Sequence, residues 1–474
     1  MKSELLVFMH GEPIGRVVEG RERACWFSYL PEYTEQRNRV PLSLTVPIGT
    51  SRYDISHWMD GLLPNRLDVR EHCMRSYGAR STLAMDMLAT LMGWDCAGAV
   101  QFCPEDAASE MLARRPRTEP LGETELARHL ESVRRNMPDL LGAPQWVPFS
   151  LAGAQAKTAL IHDASGWAKP TGGHPSTHIL KIALSNFEDN DLVEYVCMTA
   201  LRLCGVAAPR VEIVQAEGER AIAVERFDRI VDAEGRTSRV HQEDVCQALG
   251  FESRDKYQAS FGPSPVDIAE LLDGASTKQA SKALFRDALV CNWLLAAPDA
   301  HAKNYSLLMG REGYSLAPLY DVCSSAPYHQ PVDQITMAMK VGDAWGVEEA
   351  GDAAAWIACA QDLGLDAEET LARVEELSEM MPAALTAAVD SLPENCADSP
   401  MVVSLVDSLV RERLGHLPQR WIRSRDSELL RDGLRALASG TRRERTRTRC
   451  PHYGKRTGRR CNRTFRHRGP HRYR

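Results

Sequence analysis

The chain has 474 residues, 57 Lys and Arg against 64 Asp and Glu, a formal net charge of −7 and 44% hydrophobic residues. It is too long for one small core and too apolar for a disordered or collagen-like chain, so two or three domains are expected. The longest apolar stretch, Ala283 to Ala297, is broken by Arg286 and Asp287, and Met1-Lys2-Ser3-Glu4 does not open a secretion signal, so a cytoplasmic protein with no membrane partner is expected.

The charge is unevenly spread. Residues 441–474 hold fourteen Lys and Arg against one Glu, a segment of +13 that leaves −20 on the first 440 residues. The thirteen cysteines are odd in number and unpaired in spacing, which argues against a disulfide framework.

Leu5 to Val18 reads as a hairpin turning at His10-Gly11-Glu12, and Pro41 to Pro47 as a further strand-like segment. Arg70 to Met92 carries helical spacing, Gly98 to Phe102 strand character, and the charged, proline-containing stretch 104–120 the composition of a linker. Strands are expected at Ala156–Ile161 and His178–Ala183, a helix at Glu188–Leu203, and strands again at Arg210–Val214 and Ala221–Arg226. Helices dominate afterwards, at 266–273, 278–297, 366–391 and 400–415. The layout is α+β and bilobal: a mixed lobe, a mainly helical lobe, and a cleft between them for ligands. Four segments follow: 1–110, 111–228, 229–428 and the basic tail 429–474.

The chemistry concentrates at Asp299-Ala300-His301-Ala302-Lys303-Asn304. This segment follows an apolar helix and precedes a hairpin ending at Tyr320-Asp321. A carboxylate five residues before an Asn, with a second carboxylate after a hairpin, suits phosphoryl transfer. The first Asp takes the proton of the attacking hydroxyl, while the Asn and the second Asp offer oxygens to Mg²⁺. The plainer alternative is that Asp299 caps a turn and Asn304 ends a loop. Lys181 closes the strand Thr177–Lys181, and Glu194 on the next helix is placed to pair with it, as in the ion pair that positions nucleotide phosphates in kinases. Ser150-Leu-Ala-Gly-Ala-Gln-Ala-Lys157 is a loop of small side chains that lets backbone N–H groups approach phosphates.

These stretches, in this order, resemble the HipA-like serine/threonine kinase toxins of bacterial type II toxin–antitoxin systems in their full-length form. Pro41–Pro47, Cys96–Phe102, Ser150–Leu160, Thr177–Lys181, Ala223–Arg229, Gln242–Gln247, Asp299–Asn304 and Leu319–Asp321 carry the resemblance over roughly residues 1–420. It implies a protein-kinase-like fold, related to that of phosphoinositide kinases, behind an N-terminal subdomain. It implies Asp299 as catalytic base, Asn304 and Asp321 as Mg²⁺ ligands and Lys181 on the phosphates of ATP. Ala152, Gly153, Ala154, Gln155, Ala156, Lys157, Glu225, Arg226, Phe227, His301, Ala302, Lys303 and Tyr320 would line the nucleotide site. Ser150 matches the family's autophosphorylated serine, whose added charge would repel ATP phosphates. The implied partners are a helix-turn-helix antitoxin (HipB-like) with its operator DNA, and a translation protein, notably an aminoacyl-tRNA synthetase, as substrate. Ala156, Pro298 and Ala300 depart from the commoner family residues without removing a catalytic group. A catalytically weak co-repressor binding an antitoxin and DNA, and a small-molecule or lipid kinase, are the alternative functions.

Two readings stand for the tail. Cys450, Cys461, His467 and His471 offer two thiolates and two imidazoles for Zn²⁺, with His452 as a further ligand, although ten residues between the cysteines exceed the usual spacing. Otherwise it is a disordered basic extension. Either form favours nucleic acid through phosphate contacts.

Overall fold

The computed structural model describes residues 4–135, 157–183, 187–329 and 331–416. They fall into two compact units: the first takes Met1–Tyr195, Pro209–Ala248 and Ser306–Gly313, the second Val196–Ala208, Leu249–Tyr305 and Tyr314–Arg474. Ser150, Ala152, Gly153, Ala154, Gln155, Ala156 and the tail with Cys450, Cys461, His467 and His471 lie outside the described residues. Among the described residues no helix is long and apolar enough to cross a membrane.

The first unit opens with the expected hairpin, β1 (Glu4–Met9) and β2 (Glu12–Glu19). His10 and Gly11 turn the chain at φ 53° and 81°, the left-handed pair that matches strand twist in a tight hairpin. With β3 (Cys25–Tyr29), β4 (Tyr53–Asp54) and β5 (Val100–Pro104) they form an antiparallel sheet ordered β4-β3-β2-β1-β5.

Three local expectations change. Pro41–Pro47 is not a strand but a turn closed by the Ser43–Val46 bridge. The Tyr29 hydroxyl holds it, donating to Val46 O at 2.7 Å and accepting from Leu42 N–H at 2.8 Å. The helical stretch 70–92 is interrupted: helix Leu67–Tyr77 ends at Gly78, whose φ of 69° a residue with a side chain adopts only at a cost, and a short helix Ala84–Leu88 follows. The stretch 104–120 holds a helix, Ala108–Ala113, and a strand, β6 (Arg117–Pro120). Its polarity reflects an exposed edge.

β6 borders the second sheet, ordered β10-β11-β9-β7-β8-β6 with β7 (Lys157–Asp163), β8 (Gly166–Thr171), β9 (His178–Lys181), β10 (Val211–Ala216) and β11 (Glu219–Glu225). Helix Glu123–Arg134 covers one face, burying Leu126, Leu130 and Val133 against Leu160, Leu180, Val214 and Ala223. The stretch 169–175 expected as a turn begins inside strand β8, which runs to Thr171.

A buried ionic cluster joins residues far apart in sequence. Arg226 Nη2 meets Asp228 Oδ2 at 2.8 Å, Arg229 Nη2 meets Asp95 Oδ1 at 2.9 Å, and Arg239 Nη2 meets the same Asp95 oxygen at 3.2 Å. Ser176 Oγ donates to Asp95 Oδ2, and Gly98 N–H and Gln242 Nε2 donate to Asp228 Oδ2. Burial opposes the charge of Asp95, but Arg229, Arg226 and Arg239 outweigh it and hold its carboxyl at about 2. Gly98 sits at φ 76°, and a Cβ there would lie 2.6 Å from Gln242 N.

Glu243 makes a second tie. It accepts from Leu44 N–H at 2.8 Å and Trp58 Nε1 at 3.1 Å, while His241 Nε2 lies 2.9 Å from Leu42 O. The turn 41–47 and the strand His241–Asp244 thus dock on each other.

In the second unit, helix Lys278–Leu294 buries every residue from Phe285 to Leu294. Asp287 accepts from Arg286 and from Arg373 on helix Ala367–Asp390. Lys282 Nζ donates to Leu363 O at 2.9 Å at the end of helix Ala353–Leu363, and Trp293 Nε1 to Val347 O. Helix Pro265–Leu272 begins with a Ser264/Asp267 capping box. The expected helix 400–415 is regular only over Pro400–Val406 and continues as a wider π-type turn.

Two predictions follow from the buried charges. Asp95→Asn leaves three guanidinium groups undercompensated and lowers the stability by about 3–5 kcal/mol in urea unfolding. Burial raises Glu243 from the ordinary 4.5 to about 7 against its hydrogen bonds. The native state therefore binds more protons than the unfolded chain between those values, so this residue's contribution is present below about 4.5 and is lost as pH rises to 7. Glu243→Gln removes that component, and its urea midpoint falls less than the parent's between pH 5 and 7.5.

Candidate functional site

The residues singled out from the sequence divide between the two units. In the first, β9 ends in Lys181, and helix Asn190–Leu203 carries Glu194. Lys181 Nζ donates to Glu194 Oε1 at 2.6 Å, with the two side chains 8% and 2% exposed. An ammonium this enclosed requires an anion, and the carboxylate fixes where it points. Lys157 starts β7 directly opposite Lys181.

Glu225 ends β11 with an exposed side chain, and its N–H donates to Arg210 O. Phe227 is half-buried. The Arg226 guanidinium is spent in the ionic cluster, donating also to Ser176 Oγ and Cys96 O, so its side chain serves the fold.

The second unit builds the loop after helix Lys278–Leu294. His301 N–H donates to Asp299 O, Asn304 N–H to His301 O, and Asn304 Nδ2 to Asp299 O at 2.8 Å. Ala302 N–H donates to Lys256 O, which ties the loop to an upstream segment. The backbone is thereby closed on itself while the Asp299 side chain remains 65% exposed. Ala302 and Lys303 are buried; Lys303 Nζ reaches Ser253 Oγ, and Tyr320 Oη donates to Lys303 O at 2.8 Å.

Tyr257, which the sequence did not suggest, donates its hydroxyl to Asp299 Oδ1 at 2.6 Å. Burial raises the phenol's pKa, and the Asp299 carboxylate raises it further, so the tyrosine stays protonated as a donor. Its ring stands edge-on to His301 at 5.0 Å, and His301 Nε2 lies 3.9 Å from Asp299 Oδ1. Burial lowers the pKa of His301 although the Asp299 carboxylate opposes the shift. His301 Nδ1 is enclosed without a hydrogen-bond partner. No local pattern marks Tyr257, which lies 42 residues before its partner.

The donor set suits a hard divalent cation. The Asn304 amide spends its nitrogen on Asp299 O, which leaves Oδ1 as the outward acceptor. Asp321 is exposed and sits at φ 61°, a conformation that costs energy for a residue with a side chain and often marks functional positions. Asp321 is close enough to Asp299's neighbour His301 to favour its protonated form. Oxygen ligands of this kind fit Mg²⁺.

Known proteins share this organisation. A family model described as the HipA-like C-terminal domain matches residues 149–385, and one described as the HipA N-terminal domain matches residues 5–103. A Sinorhizobium fredii protein named as a kinase, Y4mE, is 31% identical over 413 residues, covering 85% of this chain and 96% of the relative. The serine/threonine-protein kinase toxin HipA of Shewanella oneidensis is 30% identical over 335 residues, covering 66% of this chain and 73% of the relative. Among solved structures, the complex of Shewanella oneidensis HipA and HipB with operator DNA holds a chain that superposes with a TM-score of 0.74. That chain is 25% identical, and the match covers 90% of this chain and all of that one.

The Lys181–Glu194 contact predicts an asymmetric response. Glu194→Ala alone removes the carboxylate that faces a buried ammonium and lowers stability by about 3–5 kcal/mol. The double variant Lys181→Met/Glu194→Leu recovers most of that loss in the same urea titration, because both charges of the pair go together.

Proposed function

The chain belongs to the HipA-like kinase toxin family, and on that premise we propose that it is an ATP-dependent serine/threonine protein kinase acting as a growth-inhibiting toxin. The observation that carries the reading is the Asp299 loop: an exposed carboxylate, held by the Tyr257 hydroxyl, on a backbone closed by Asn304.

In this reading Asp299 accepts the proton of a substrate serine or threonine hydroxyl as its oxygen attacks the γ-phosphorus of ATP. Tyr257 occupies one carboxylate oxygen and leaves the other for the incoming proton. The lowered pKa of His301 keeps the imidazole uncharged near neutral pH, so it does not neutralise the base. Lys181, aimed by Glu194, neutralises nucleotide phosphates, and the small-residue segment 152–157 is the proposed phosphate-binding stretch. Asn304 and Asp321 would hold Mg²⁺, which would supply charge neutralisation at the phosphates.

Ser150 is the proposed site of autophosphorylation, whose added negative charge beside the nucleotide loop turns the enzyme off. A helix-turn-helix antitoxin is the proposed partner, bringing the chain to operator DNA. A translation protein, in particular an aminoacyl-tRNA synthetase, is the proposed substrate. The +13 of residues 441–474 supports a further phosphate-dependent contact with nucleic acid, weakened by salt.

Purified protein, first freed of phosphate, is incubated with Mg-ATP and analysed by intact mass and phosphopeptide mapping. Phosphate on Ser150 that vanishes in Asp299→Asn is the expected result. No phosphate in the active chain would overturn the kinase reading in favour of a co-repressor. Tyr257→Phe is expected to lower kcat about tenfold with little change in KM for ATP, since one hydrogen bond to a charged group is lost at the base alone.

A further inference from the structure

The second sheet carries a cluster that phosphoryl transfer does not use. Glu212 on β10 lies opposite Ala223 on β11, Ala223 opposite Leu180 on β9, and Leu180 opposite Thr158 on β7. Side chains alternate along strands, so Glu212, His178 and His162 share one face, the face covered by helix Glu123–Arg134. Each offers one ligand atom, and these atoms lie within 4.8 Å of one another.

Three features separate this group from a chance meeting of polar residues. His162 Nδ1 lies 3.3 Å from Glu212 Oε1, yet that oxygen is enclosed and takes no hydrogen bond. One enclosed oxygen of an otherwise half-exposed carboxylate, set beside two imidazoles, is an acceptor that a bound cation would satisfy. Thr177 supports the His178 ring and the His162 backbone: its Oγ1 lies 2.8 Å from His178 Nδ1 and accepts from the His162 main-chain N–H at 2.9 Å. An outer hydroxyl on one ring nitrogen orients the other toward a metal. Trp167 stacks on His162 at 4.3 Å and 11° and stands edge-on to His178 at 5.4 Å, which fixes the rings and excludes water from one side.

We propose that His162, His178 and Glu212 form a site for one divalent transition-metal ion, zinc or a close relative, with two nitrogen ligands and one oxygen and an open position for water. This ligand set suits borderline metals, whereas Mg²⁺ prefers oxygen alone. A bound ion ties edge strand β10 to β9 and β7 across β11. His178 is three residues from Lys181 on the same strand, so the ion stiffens the strand that carries that lysine.

The full-length chain, stripped with a chelator and desalted, is titrated with Co²⁺ followed by visible absorption. Zn²⁺ is then added with thermal unfolding as a second readout. A Co²⁺ complex with d–d bands but no near-ultraviolet thiolate charge-transfer band is expected, because the cluster has no sulfur, whereas cysteines in the basic tail would produce that band. Binding is expected to weaken at least about tenfold in His178→Asn and Glu212→Gln, and about tenfold in Thr177→Val through lost orientation. The rise in unfolding temperature with Zn²⁺ shrinks in the same variants. Glu212 is half-exposed, so Glu212→Gln keeps the test valid should the histidine variant fold poorly. Absence of Co²⁺ binding up to about 1 mM, or binding undiminished in Glu212→Gln and His178→Asn, overturns the proposal.

Discussion

The first unit depends on enclosing charge. Asp95 and Asp228 are buried; Arg226 and Arg229 compensate both, and Arg239 adds a third guanidinium at Asp95. Transferring such groups from water is expensive, so the cluster persists only while every partner is present. Its members come from the loop before β5 and from the segment after β11, which fixes how the N-terminal sheet and the six-stranded sheet are built into one unit. Glu243 repeats the tie with a single carboxylate facing the turn 41–47. This explains why the stretches Pro41–Pro47, Cys96–Phe102, Ala223–Arg229 and Gln242–Gln247 stand out in the sequence although they contain little that does chemistry.

The candidate catalytic loop follows a different rule. Three hydrogen bonds close it within six residues and a fourth reaches Lys256 O, which holds the loop without burying its key carboxylate. In its proposed role as base, Asp299 needs exposure to meet a substrate and fixation to meet it in one geometry. Tyr257 provides the fixation from outside the loop, and its raised pKa keeps it a donor over the whole physiological range. Lys181 shows the opposite design, an enclosed ammonium whose direction is set by an equally enclosed Glu194.

Elements with strong local signals were legible. The β1–β2 hairpin, the helix after Lys181 and the helix before Asp299 lie where spacing and turn residues place them. Elements stabilised by distant partners were not. Pro41–Pro47 alternates like a strand, yet the Tyr29 hydroxyl folds it into a turn. Arg70–Met92 has helical spacing, yet Gly78 ends the first helix because only a residue without Cβ enters the left-handed region cheaply. Segment 104–120 has a linker's composition because β6 is an exposed edge strand, which tolerates charge and proline.

By itself the sequence determined the family, the α+β class and the residue types in the Asp299–Asn304 segment, because these are properties of order and spacing along one chain. It also set the charge contrast between an acidic body and a basic end. Tertiary structure alone decided that Arg226 serves a buried ionic cluster, that Tyr257 holds Asp299, and that His162, His178 and Glu212 meet on one face of a sheet. Each of those contacts joins residues from different strands, helices or loops. Their partners are chosen by burial and desolvation cost, quantities that exist only once the chain has closed around them.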